Sequence, residues 1–111
     1  MGFAANQARL MSLIARRSDL ELESQFISQH RLYLGNLVSG LFDLQAKLDP
    51  ESQAAKIFEA RIKALQQADK ILEMQLNRLN SQRDAVSKEL DSVQKMVSTN
   101  IKNSFGLMGG R

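Results

Sequence analysis

Residues 55–101 read AKIFEARIKALQQADKILEMQLNRLNSQRDAVSKELDSVQKMVSTNI. Phe58, Leu65, Leu72, Leu79, Val86 and Val93 recur every seven residues in this stretch. Ile62, Leu76, Leu90 and Val97 form a second row beside them, offset by three or four positions. Two adjacent apolar rows with a seven-residue period make the seam of a coiled coil. A helix with so narrow a seam cannot bury it alone, so the pattern demands a partner helix.

A partner lies upstream. Leu13, Leu20, Ile27, Leu34, Leu41 and Leu48 are spaced by seven without a miss. Leu10, Phe26, Tyr33, Leu37 and Val38 widen this stripe but drift around the helix, which suits packing against more than one neighbour. Gly35 and Gly40 interrupt it, each costing up to ~1 kcal/mol against Ala. They mean either a kink between Gly35 and Gly40 or a close approach of another helix. Their position beside Leu34 and Leu41 favours close approach.

Between the two patterns, Leu48–Asp49–Pro50–Glu51 is the strong punctuation of the chain. Asp49 suits an N-cap, Pro50 the first helical position, and Glu51 the positive end of a helix. So short a connection makes the flanking helices antiparallel neighbours. The expected fold is all-α, a long antiparallel two-helix coiled-coil hairpin turning near Asp49–Pro50. It forms one elongated domain over residues 1–111: a frayed start at 1–7, a first helix over 8–48, a second over 50–103, and an apolar, glycine-rich tail at 104–111.

Composition excludes more chemistry than it suggests. The chain is 43% hydrophobic, with one Pro and few β-branched clusters, so sheet has little support. It lacks cysteine, which removes disulfides, thiolate metal sites and thiol catalysis. His30 is the only histidine and has no patterned carboxylates around it, so neither a metal site nor a general base is expected. Gly106–Leu107–Met108–Gly109–Gly110 follows a helix and opens none, so it does not cradle a phosphate. No catalytic residue, cofactor or enzyme activity is expected.

The 15 basic and 12 acidic side chains give a net charge of +3 and are interspersed at helix spacing. A basic stripe with stacking aromatics is missing, which argues against nucleic acid as a partner. Arg9, Arg16 and Arg17 leave an anionic membrane surface as a minor alternative. No run approaches ~20 apolar residues, so no membrane span is expected. The start, Met1–Gly2–Phe3, has Asn6 where a myristoylation signal wants Ser or Thr. Export, if it occurs, is expected by a route without a cleaved leader.

Two residues break the second helix's seam, Asp69 and Arg83. In a hairpin turning at Asp49, residues whose numbers sum to roughly 99 face each other. Asp69 then lies near His30 and Arg31, and Arg83 near Arg16 and Arg17, with Asp19 and Glu23 about a turn away. Either both polar side chains reach water at the seam's edge, or Asp69–Arg31 locks the register at some cost in stability. The same fold-over sets Phe3 opposite Met96, so Ile101, Phe105, Leu107 and Met108 overhang the open end. A thin two-helix core with exposed apolar surface points to self-association. Its expected carriers are Leu13, Leu20, Ile27, Leu34 and Leu41 with the overhang residues Ile101, Phe105, Leu107 and Met108. Head-to-tail contacts through an overhang build rings or open filaments.

With Leu48–Asp49–Pro50 at the turn and Ile101–Lys102–Asn103–Ser104–Phe105 near the end, the chain resembles the needle and filament subunits of type III secretion systems. Ser104 interrupts the ending of that family and six residues follow Phe105. The resemblance implies a cysteine-free structural subunit, exported without a leader, that polymerises helically with copies of itself and meets proteins of the secretion apparatus. The alternative is a soluble coiled-coil adaptor, chaperone or export-stalk protein inside the cell.

Overall fold

The computed structural model describes residues 2–108, with the side chains of Leu107 and Met108 outside the described residues. Two helices, α1 (Phe3–Gln45) and α2 (Gln53–Met108), form an antiparallel hairpin, with no strand among the described residues. Helix α1 begins five residues earlier than its periodicity predicts. Its first turn closes with the Asn6 amide donating to the Gly2 carbonyl at 3.0 Å. Gly35 and Gly40 sit within uninterrupted α1, so the helix does not break there. A Cβ added at either would meet nothing within 4 Å, so close approach within the chain does not explain them. Two exposed glycines weaken a long helix without breaking it when packing supplies most of its stability.

The turn is longer than expected, and its cap is a different residue. After Gln45 the chain tightens through Lys47 N–H to Leu44 O at 3.2 Å and Leu48 N–H to Gln45 O at 3.0 Å. Pro50 fixes the second position of a turn closed by Ser52 N–H to Asp49 O at 2.9 Å. The Asp49 carboxylate accepts from Glu51 N–H at 3.0 Å, inside the turn rather than at the helix start. Ser52 caps α2: its Oγ accepts from Ala55 N–H at 3.2 Å and its carbonyl from Lys56 N–H at 3.2 Å. Gln45 ties the two helix ends together, its amide donating to Ala55 O at 3.3 Å.

At the other end, α2 runs past the expected limit at Asn103 and carries Ser104, Phe105 and Gly106 as helix. No proline lies in this stretch, and a lone Gly106 costs only ~1 kcal/mol. The tail predicted at 104–111 is thus helical through Met108, and residues 109–111 lie outside the described residues.

Although a single domain is expected, the hairpin divides into two compact units. One joins residues 1–22 to 79–111 and contains both termini; the other, residues 23–78, contains the turn. The termini unit buries Leu20, Leu79, Leu90, Val93 and Val97, and the turn unit buries Leu34, Ala55 and Ile62. Each is one layer of side chains between two antiparallel helical segments. In such a hairpin a residue touches only what lies at its own height, so packing is local along the seam.

Candidate self-association surface

Inward-facing positions on α1 alternate by four and three residues along its whole length. Leu13, Leu20, Ile27, Leu34 and Leu41 make up one row, each buried or half-buried. Their burial sets them in the seam against α2, so these expected self-assembly residues serve the hairpin's own packing. The row beside them is Leu10, Arg17, Ser24, Arg31, Val38 and Gln45. Four of these six are polar, and for that reason periodicity alone does not reveal the row. Its facing row on α2 runs Ala55, Ile62, Asp69, Leu76, Arg83 and Leu90.

In the turn unit, Arg31 and Asp69 meet across the seam. The guanidinium donates through Nε to Oδ1 at 2.9 Å and through Nη2 to Oδ2 at 3.3 Å, a two-pronged fork. Glu73 stands 3.8 Å from the same guanidinium. The hydrogen bond from Arg31, aided by its charge, holds the Asp69 carboxyl below the usual carboxylate range against the opposing effect of desolvation. The same bond raises Arg31 further above its ordinary value. Both side chains remain about one-third exposed, so the pair is rooted in the seam with its edge in water. The fork fixes the register: residues whose numbers sum to about 100 share a height. Gln45 and Ala55 obey the same rule.

In the termini unit, Arg83 makes no cross-helix pair among the described residues. Its Nη2 lies 3.8 Å from Asp84 of its own helix, and Arg17 lies 3.9 Å from Glu21. Two arginines at matching seam positions repel, so each turns to a carboxylate of its own helix instead of to Asp19 or Glu23. Arg83 therefore does not share in a register lock. Arg9 and Glu89 form the unit's cross-helix ion pair. Asn6 Oδ1 and Asn100 Nδ2, an acceptor and a donor, are both buried without partners and both line one shallow pocket with Lys95, Met96 and Thr99. Beyond Asn100, α2 outruns α1. Ile101 and Phe105 project from this overhang, and Phe105 is 76% exposed. Leu107 and Met108 belong to the same helix, with their side chains outside the described residues.

A second apolar surface lies in the turn unit and is not among the expected carriers. Phe26, Tyr33, Leu37 and Leu44 on α1, with Ile57 and Ile71 on α2, are all exposed. Phe26, Tyr33 and Leu37 look in the sequence like drift around α1, but with His30, Gly40 and Leu44 they make a stripe of their own at spacings of four and three. No protein family matches the sequence, and no curated protein or solved structure is similar to it. Among the described residues, no three His, Asp or Glu side chains gather to hold a metal, and no helix is long and apolar enough to cross a membrane.

Proposed function

We propose that this protein is a non-enzymatic structural subunit that self-associates, building a filament, needle or tube from copies of itself. The observation that carries this reading is the overhang of α2, a helical extension with Ile101 and Phe105 turned to solvent and no α1 segment beside it. An apolar helix end that turns Ile101 and Phe105 to solvent is suited to the seam end of a neighbouring copy. Contacts of that kind are head-to-tail and propagate unless the rotation closes. The resemblance of Ile101–Phe105 and of the Pro50 turn to type III secretion subunits supports the same reading and adds leaderless export to it.

The test is negative-stain microscopy with light scattering on the purified chain and on a variant lacking residues 105–111. Filaments or tubes that disappear on the deletion are the expected result. A discrete dimer or tetramer indifferent to the deletion would refute it and favour the intracellular adaptor, chaperone or stalk reading.

A further inference from the structure

We infer that the exposed apolar face of the turn unit is the docking surface for a second copy of this chain, packed side by side with its turn at the same end. The inference rests on the self-association reading but concerns a different surface from the overhang.

In an antiparallel helix pair, the positions just before the two facing rows lie on the same side of the seam. Leu37 and Leu44 precede Val38 and Gln45 on α1; Ala54 and Ala68 precede Ala55 and Asp69 on α2. These four therefore floor one groove of the hairpin. Phe26 and Tyr33 edge it on α1, and Ile57, Ala64 and Ile71 edge it on α2. The opposite flank of α2 is Glu59, Lys63, Gln66, Lys70 and Glu73, which belongs in water. The six large side chains of the apolar face expose on the order of 600 Å², and the flanking Ala and Gly surface brings it near the ~800 Å² per partner of a stable complex.

The two halves of the face differ in size in a way that suits each other. By the register of the Arg31–Asp69 fork, Tyr33 stands at the height of the gap between Ala64 and Ala68. Leu44 stands level with the step from Ala54 to Ile57, and Gly40 with the step from Ile57 to Arg61. Within one chain these residues lie on different helices and leave each other exposed. A two-fold axis parallel to the helices sets α1 of one copy over α2 of the other, antiparallel and at unchanged height. The largest knob, Tyr33 at 60% exposure, then enters a hole walled by two alanines, and Ile57 finds the open backbone at Gly40. Arg61 carries its charge out along its stem to the rim. The product is a four-helix bundle in which every neighbouring pair is antiparallel. This accounts for Gly40 as a packing position between chains, although nothing approaches it within one.

The experiment uses the full chain in sedimentation equilibrium, with circular dichroism to verify helicity. Wild type is expected to form a two-copy species, alone or as the repeating unit of larger assemblies. Tyr33→Glu weakens that species at least tenfold, whereas Met74→Glu, on the outer face of α2, leaves it unchanged. Because the chain has no cysteine, single substitutions report proximity directly. Mixed Tyr33→Cys and Ala68→Cys proteins cross-link to each other under mild oxidation, while Tyr33→Cys and Met74→Cys do not. Equal association of Tyr33→Glu and wild type, or absence of the Tyr33–Ala68 cross-link, overturns the face. Phe105→Glu separates the two surfaces: loss of long assemblies with survival of the pair upholds both. Survival of the two-copy species in Tyr33→Glu defeats this inference alone, and a wild type that stays monomeric defeats both.

Discussion

Ser24 is the seam position at which the hairpin works against its own stability. It lies on the inner row of α1, 8% exposed, and its Oγ is buried without a hydrogen-bond partner. A hydroxyl taken from water without compensation costs ~1–2 kcal/mol. Ser is also a poorer helix former than Ala by ~0.5 kcal/mol. Ser24→Ala should therefore stabilise the protein by ~1.5–2.5 kcal/mol. Ser28→Ala, one turn along and exposed, gains only the ~0.5 kcal/mol of helix propensity and isolates the burial contribution. In a chain of this size, the difference between the two variants amounts to roughly 4–8 °C in melting temperature. The assay is a far-UV circular dichroism melt at fixed protein concentration, because association also moves Tm. Urea unfolding should show a higher midpoint with an unchanged slope. If Ser24→Ala melts no higher than Ser28→Ala, the hydroxyl is satisfied in solution and the reasoning about the seam fails.

Leu90 is 1% exposed, and Leu90→Ala should cost about 3 kcal/mol by denaturant unfolding, whereas Leu32→Ala on the exposed surface should cost under ~0.5. Gly35→Ala should raise stability by ~0.5–1 kcal/mol in the same measurement, since its Cβ would enter open space on a continuous helix. Ser52→Ala removes the cap of α2 and should lower stability by ~1 kcal/mol, with faster amide hydrogen exchange at Ala55. Asp69 has a lowered carboxyl pKa in the folded state, so its contribution is present above the unfolded value of ~3.9 and fades as pH falls through the folded one. The Tm difference between wild type and Asp69→Asn should be flat at neutral pH and shrink below about pH 4; a difference independent of pH would separate the fork from stability.

The hairpin was legible because one full row on each helix is apolar. Leu13 to Leu48 and Phe58 to Val93 hold a period of seven that no other structure accommodates. The second row of α1 was not legible, since Arg17, Ser24, Arg31 and Gln45 look like surface residues until α2 lies against them. Phe26, Tyr33 and Leu37 then seemed to be stragglers of the seam when they belong to another face. Asp49 and Ser52 are both good caps, and only the turn's hydrogen bonds show which of them starts the helix. The reach of α2 through Gly106 was hidden because several glycines close together read as a stop. For the association surface, sequence pointed to the overhang at Ile101 and Phe105 but missed the face around Tyr33, whose two halves lie on different helices.

The repeating leucines that build the hairpin also make it ambiguous. Sliding one helix past the other by seven residues would still set aliphatic side chains against aliphatic side chains in most layers. Arg31 would then face Ile62 or Leu76 in place of Asp69, and a lone guanidinium would meet hydrocarbon. A misaligned chain is therefore almost as greasy inside as the native one, and differs chiefly in stranding its charges. The native alignment is the one that joins Arg31 to Asp69, Gln45 to Ala55 and Arg9 to Glu89, so a slipped hairpin gives up polar pairing while keeping most of its apolar burial.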